Sequence, residues 1–144
     1  MFTLEDAVRI AREAHAGQVD KSGRPYIGHP LRVMAAVDGE HRKMAAVLHD
    51  VVEDTPVTPA DLLAAGCPPP VVAAVEAVSK RPGEAQADYL ARVRADPIAL
   101  AVKRADIADN SSPARLALLD APTRERLRAK YAAALAVLGG PAPA

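Results

Sequence analysis

His49, Asp50, Glu53 and Asp54 fall within six consecutive positions of the stretch Ala45-Ala46-Val47-Leu48-His49-Asp50-Val51-Val52-Glu53-Asp54-Thr55. On a helix, residues four apart share a face, so His49 aligns with Glu53 and Asp50 with Asp54. Together they make one polar stripe two residues wide. Met44, Leu48, Val51 and Val52 make an apolar stripe with the i, i+4, i+7, i+8 spacing of a core face. The flanks are Ala and Val, so the polar stripe is expected inside the fold. An imidazole and three carboxylates crowded there repel one another unless a charge compensates them. A divalent cation does so directly, because imidazole nitrogen and carboxylate oxygen are its ordinary ligands. The competing reading is a solvated helix face with a common mix of charges; the surrounding Ala and Val favour the metal.

Two further segments offer partners. His29 stands near a helix start, between Gly28 and Pro30. A helix-start histidine bonded to backbone is the plainer alternative there. Asp106 and Asn110 are four apart and share a face, among Leu100, Ala101, Val102, Ala105 and Ile107. For Asp109 and Asn110, a capping role at a helix end competes with a role in chemistry. Lys21 and Lys103 are placed either to neutralise phosphates or as solvated surface charges.

The elements that must hold these groups read as helices. Thr3 caps a first helix with Glu5 and Asp6 in its opening turn, and Gly17 ends it. A polar loop covers 19–25. Further helices are expected at 28–37, interrupted by Asp38-Gly39, and at 41–54. Thr58 with Pro59 starts a short helix, and Pro68, Pro69 and Pro70 open the next, whose apolar set is Val71, Val72, Val75 and Val78. A loop at 79–84 precedes helices at 86–95, 97–108, 113–119 and 123–138. The expected fold class is all-α, a single bundle of about seven to nine helices over residues 1–138, with 139–144 as a flexible tail.

Composition agrees. Half of the 144 residues are hydrophobic, yet there are only one Phe, three Tyr and no Trp, which favours closely packed helices over a β-sandwich. Acidic and basic residues balance to a formal net charge of zero, which argues against a nucleic-acid polymer as partner. The single cysteine, Cys67, rules out an internal disulfide and a Cys-based zinc site, and is expected to be inert. No apolar run reaches the roughly 20 residues a membrane helix needs. The N-terminal stretch enters an amphipathic pattern rather than a signal peptide, so a cytoplasmic location is expected. His15 is expected to be a structural residue at a helix end and His41 a surface residue. For Tyr89 and Arg92, packing is the default over lining a pocket mouth. Nothing in the sequence assigns an oligomeric state.

The assembled blocks resemble the HD superfamily, and more narrowly the hydrolase domain of the RelA/SpoT alarmone enzymes and their stand-alone small relatives. The blocks are His15-Ala16-Gly17-Gln18, Gly23-x-Pro25-Tyr26-Ile27-x-His29-Pro30-Leu31, Ala46 through Thr55, and Val102-Lys103-x-Ala105-Asp106-x-x-x-Asn110, in the family's order. The resemblance implies an all-α HD-type fold and one divalent metal ion, Mn²⁺-like, with Fe, Co and Zn chemically acceptable. Carried over residue by residue, it implies His29, His49, Asp50 and Asp106 as metal ligands. It implies Glu53 and Asp54 as the catalytic pair for the attacking water and the leaving group. Asn110, Lys21 and Ser22 match positions beside a small nucleotide substrate. The implied reaction is hydrolysis of the 3′-pyrophosphate of (p)ppGpp.

Three departures from the family pattern stand out. Asp20 occupies a loop position where an arginine usually packs against the guanine base; Asp109 replaces a common His or Tyr; Ser111-Ser112-Pro113 differs from the usual sequence. A carboxylate cannot stand in for a planar cation. Asp20 therefore favours a second reading, a phosphohydrolase for another nucleotide or dinucleotide phosphate. A third, a catalytically silent nucleotide-binding module, leaves the retention of so many grouped charges without a physical reason.

Overall fold

The computed structural model describes residues 1–139, and it is all-α. The helical segments are α1 (Leu4–Ala14), α2 (Gly28–Ala35), α3 (Glu40–Leu48), α4 (Val51–Asp54), α5 (Pro59–Ala64), α6 (Pro69–Val78), α7 (Gln86–Ala95), α8 (Pro97–Asn110), α9 (Pro113–Leu116) and α10 (Ala121–Val137). Two of these, α4 and α9, are four-residue turns, so the longer helices fall within the expected number. The only strand-like pairing among the described residues is one antiparallel bridge, Val19 to Pro25, which pinches the loop before α2. Of the expected tail, all but Gly139 lies outside the described residues.

Local sequence explains the helix starts. Thr3 and Asp6 form a reciprocal capping box at α1, and Thr58 and Asp61 form another at α5. Asp96 caps α8 by accepting from the Ile98 and Ala99 backbone N–H groups, with Pro97 at the first helical position. Gly17 adopts φ +81° just past α1, where a side chain would be strained.

α3 is the central element. Met44, Ala45, Ala46, Val47 and Leu48 are all buried, and α3 packs against α1, α2, α6 and α8. Only small side chains permit burial on every face: Ala7 and Ala11 of α1 and Val33 of α2 meet it on one side, Val71, Ala74 and Val75 of α6 on the other. Leu127, Ala134 and Leu138 are buried where α10 closes over α8.

The helix expected over 41–54 is in fact two helices. α3 stops at Leu48; Asp50 takes φ −100°, ψ −2°, and α4 restarts at Val51. The Ala46 carbonyl accepts the His49 ring Nδ1–H at 2.5 Å as well as the His49 backbone N–H at 3.4 Å, so a side chain competes for an acceptor of the helix ladder. Smaller differences follow from caps. α8 continues to Asn110, past the expected 108, so Asp106, Asp109 and Asn110 sit on one continuous helix. α10 begins at Ala121 because Asp120 accepts from the Thr123 N–H.

Candidate metal centre and substrate cleft

Four side chains converge from three places. His29 is on the first turn of α2, His49 and Asp50 are at the α3–α4 break, and Asp106 is on α8. His29 and His49 are each almost fully buried, at 2% and 3% exposure, and Asp106 is also buried. His29 Nε2 lies 2.8 Å from Asp106 Oδ1 and 3.9 Å from Asp50 Oδ2; His49 Nε2 lies 3.3 Å and 3.1 Å from the same two oxygens.

The far nitrogens of both imidazoles are committed elsewhere. His49 Nδ1–H donates to the Ala46 carbonyl. His29 Nδ1 faces the Asp109 carboxylate at 2.6 Å, a pairing that assigns its proton to Nδ1. With Nδ1 of each ring engaged by these partners, Nε2 is the nitrogen that faces the Asp106 carboxylate, and it is the one that would give up its proton to a cation at the common centre. A backbone carbonyl on one ring and a carboxylate on the other are the partners that metal-bound histidines ordinarily use. Donors held about 2.0–2.2 Å from one ion stand about 3.0–3.5 Å apart, close to the separations found here. The donor set and its spacing suit a divalent cation.

Electrostatics point the same way. Burial disfavours the His49 imidazolium, yet the Asp50 and Asp106 carboxylates outweigh it and raise its pKa well above the ordinary value. Burial opposes ionisation of Asp106, but hydrogen bonds from His29 and His49 and the charge of Lys103 hold it well below the carboxylate range. Lys103 Nζ stands 3.0 Å from Asp106 Oδ2, and its pKa is raised: burial works against the charge and Asp106 prevails. A proton on His49 thus offsets the acidic cluster, and a cation can take the place of that proton.

Beyond the floor, the polar stripe leaves the interior. The expectation of a wholly buried stripe holds for His49; Asp50 is part-buried, and Glu53 and Asp54 are exposed at the cleft because the break re-aims α4. Ligand atoms of Asp50, Glu53 and Asp54 still lie within 4.8 Å of one another. Glu53 accepts from the Lys80 backbone N–H at 2.6 Å. Burial, followed by repulsion from Asp50 and Glu53, pushes Asp54 up to about 6.

The cleft above has a volume of about 430 Å³ and is lined by Lys21, Ser22, Asp54, Lys103, Asn110 and Arg115 among others. A side chamber of about 150 Å³ shares Asp50, Glu53 and Lys103 with it and adds Lys80. All ten residues picked out by motif therefore gather at one place. Their commitments differ, however. Lys21 is exposed, the Ser22 hydroxyl donates to Asp20, and the Asn110 amide donates to Asp106 at 3.1 Å.

The remaining expectations are met or refined. His15 is buried at the end of α1, with Nδ1 2.8 Å from the Gln18 side-chain oxygen and its ring against Tyr26. His41 is exposed. Cys67 is buried, and burial raises its thiol to about 11. Tyr89 donates to the Val78 carbonyl and Arg92 pairs with Glu84, so both are packing residues, though Tyr89 also walls the side chamber. Motif reading included Tyr26 in a block but gave it no role, and its hydroxyl donates to Asp50; it passed over Arg115, which no spacing singles out. It took Asp109 as a departure or a helix-end cap, although its place three residues after Asp106 on one helix is the signal that it shares the site.

A family model described as the HD domain matches residues 7–105. The chain belongs to the HD domain family. Within that family, curated relatives cluster on the alarmone enzymes. The bifunctional (p)ppGpp synthase/hydrolase SpoT of Escherichia coli (strain K12) is 48% identical over 63 residues, 41% of this chain and 9% of that protein. The guanosine-3′,5′-bis(diphosphate) 3′-pyrophosphohydrolase of Haemophilus influenzae is 53% identical over 53 residues, 34% of this chain and 8% of that protein. The matched stretch thus spans less than a tenth of each of these relatives. A solved structure described as a metazoan ortholog of SpoT that hydrolyzes ppGpp matches with a TM-score of 0.79, over 95% of this chain and 85% of that one, at 23% identity. That likeness is one of fold. No helix among the described residues is long and apolar enough to cross a membrane.

Proposed function

We propose that this HD domain is a metal-dependent phosphohydrolase acting on (p)ppGpp, releasing pyrophosphate from the 3′ position. The observation that carries the reading is the convergence of His29, His49, Asp50 and Asp106 at the floor of a cleft lined by Lys21 and Lys103. Those four residues would hold one divalent ion, Mn²⁺ by preference, with Fe, Co or Zn compatible with two imidazoles and two carboxylates. When bound, the ion supplies Lewis-acid polarisation of a phosphoryl oxygen and makes water more acidic.

The chain's own groups account for the rest. Water attacks the phosphorus attached to the ribose 3′ oxygen, and the bond between that phosphorus and the 3′ oxygen breaks. The Glu53–Asp54 pair takes the proton of the attacking water and returns one to the departing oxygen. Asp54 is favoured for the donating half, because burial and its acidic neighbours keep its carboxyl protonated to higher pH than an ordinary Asp. Glu53 is held in place by the Lys80 backbone N–H. Tyr26 and Asp109 orient Asp50 and His29. Lys21, Ser22, Lys103 and Asn110 line the space for the nucleotide's phosphates and sugar. The domain is read as 1–138, and a cytoplasmic setting and a place in the stringent response follow from the substrate.

A second reading has an observation of its own. Asp20 is turned into its loop and places no cation at the position the alarmone hydrolases use for guanine. That favours another nucleotide or a dinucleotide phosphate. The deciding experiment is a Mn²⁺-supplemented hydrolysis panel of ppGpp, pppGpp, NADPH and common nucleotides, run beside Asp50→Ala. Turnover of the guanine alarmones, lost in the variant, is the expected result. Turnover only of other nucleotides removes the alarmone assignment, and no turnover of any substrate removes the enzyme.

A further inference from the structure

Arg115 belongs to no motif and stands on the single-turn α9, yet its guanidinium meets both halves of the site. Nη1 donates to the Asp109 carboxylate at 2.9 Å and to the Asn110 side-chain oxygen at 2.7 Å. Nη2 reaches the Asp20 carboxylate at 3.5 Å. Each partner does something else as well. Asp109 faces Nδ1 of His29, and Asn110 donates to Asp106. Asp20 shapes the substrate loop, one of its oxygens accepting from the Ser22 N–H at 2.9 Å, the Ser22 hydroxyl at 2.7 Å and the Arg24 N–H at 3.0 Å.

The two sides depend on Arg115 unequally. Asp109 has a second cation, Arg32, at 2.9 Å. The Asp20 side chain is only 8% exposed, and among the described residues Arg115 is its only ion-pair partner. Ser22 and Arg24 donate to one oxygen of that carboxylate, Arg115 supplies the positive charge that faces the other, and a planar guanidinium is suited to bridging partners on separate elements. Asp20 at the guanine-packing position is therefore half of a pair whose other half is on α9.

We propose that Arg115 is a positioning residue that fastens the Asp20–Arg24 loop to the end of α8, and so sets where Lys21 and Ser22 stand relative to the metal floor. The proposal rests on the reading of the cleft as a nucleotide site. It assigns Arg115 chiefly to substrate binding and only weakly to metal binding, because Arg32 remains to hold Asp109 when Arg115 is removed.

The test compares Mn²⁺-loaded wild type with Arg115→Gln, Arg115→Lys, Asp20→Asn and the Asp20→Asn/Arg115→Gln double variant. Three quantities are read: amide hydrogen exchange of residues 20–26, the Mn²⁺ dissociation constant, and KM against kcat on whichever nucleotide the panel identifies. In Arg115→Gln the loop amides should exchange about tenfold faster with the rest of the chain unchanged, and KM should rise about tenfold with kcat held within about twofold. Mn²⁺ affinity should change by less than about threefold. Arg115→Lys should rescue only part of the effect, and the double variant should be no worse than Arg115→Gln. Unchanged loop exchange in both Arg115→Gln and Asp20→Asn overturns the proposal, as does a loss of Mn²⁺ affinity as large as the rise in KM. If Arg115→Gln loosens the whole chain, Asp20→Asn decides: the pair is rejected unless that variant frees the loop. Exchange does not require turnover, so it separates failure of this proposal from failure of the proposed reaction.

Discussion

The floor and the rim of the cleft are built on different terms. At the floor, His29, His49 and Asp106 are buried, and each ring nitrogen not facing the centre has a partner supplied by the fold. At the rim, Lys21 and Lys130, which both line the cleft, are exposed side chains on a loop and on the last long helix. Buried polar groups without partners are costly, so the floor tolerates one arrangement. Exposed lysines cost little to move, so the rim is adjustable. A fold of this kind can hold its floor fixed while its rim varies, and Asp20 lies in the loop on the rim side.

That contrast makes quantitative demands. The largest effect is expected at the floor: His49→Ala should abolish measurable Mn²⁺ binding by calorimetry and turnover with it, because it removes one of the four proposed ligands and the imidazole between the Asp50 and Asp106 carboxylates. Retention of stoichiometric Mn²⁺ in that variant would remove His49 from the ligand set. Next comes Asp54→Asn, at the boundary between floor and rim. Mn²⁺ affinity should be nearly unchanged and kcat should fall by about 10²–10³; equal losses in both would make Asp54 a ligand rather than a proton carrier.

A smaller effect concerns the metal-free protein. The folded His49 pKa is raised, so above the unfolded value near 6.5 the folded state holds a proton that the unfolded chain has released. Stability from that proton is complete below pH 6.5 and is lost as pH climbs through the raised value. Between pH 6.5 and 8 the melting temperature of the metal-free protein should fall by roughly 3 °C or more, and saturating Mn²⁺ should cancel the fall. A metal-free melting temperature that rises over this range would contradict the charge balance described for the floor. The smallest effect belongs to the rim: Lys21→Ala should raise KM about threefold to tenfold, leave kcat within about twofold, and lose its effect in high salt.

Much of the candidate site is legible in the sequence, and for a physical reason. Metal ligation needs specific residue types, and helix geometry ties type to spacing, so His49, Asp50, Glu53 and Asp54 announce themselves four apart on an alanine and valine background. Capping is equally local, which is why Thr3, Thr58 and Pro97 mark helix starts correctly. The break after Leu48 was not legible. It follows from a histidine side chain diverting a carbonyl, and nothing in the spacing distinguishes that from a continuous helix. Its consequence is large, since it separates buried His49 and part-buried Asp50 from exposed Glu53 and Asp54.

Arg115 marks the other limit. Its partners lie 95 residues away at Asp20, and five and six at Asn110 and Asp109. Local rules of periodicity, capping and motif carry no information about a guanidinium brought across the chain by helix packing. The residue types and their helical spacing sufficed for an all-α chain with a candidate cation site. Which carboxylates face inward, which proton each imidazole carries and which cation answers Asp20 depend on long-range packing, because burial and pairing are properties of neighbours that the sequence order does not place side by side.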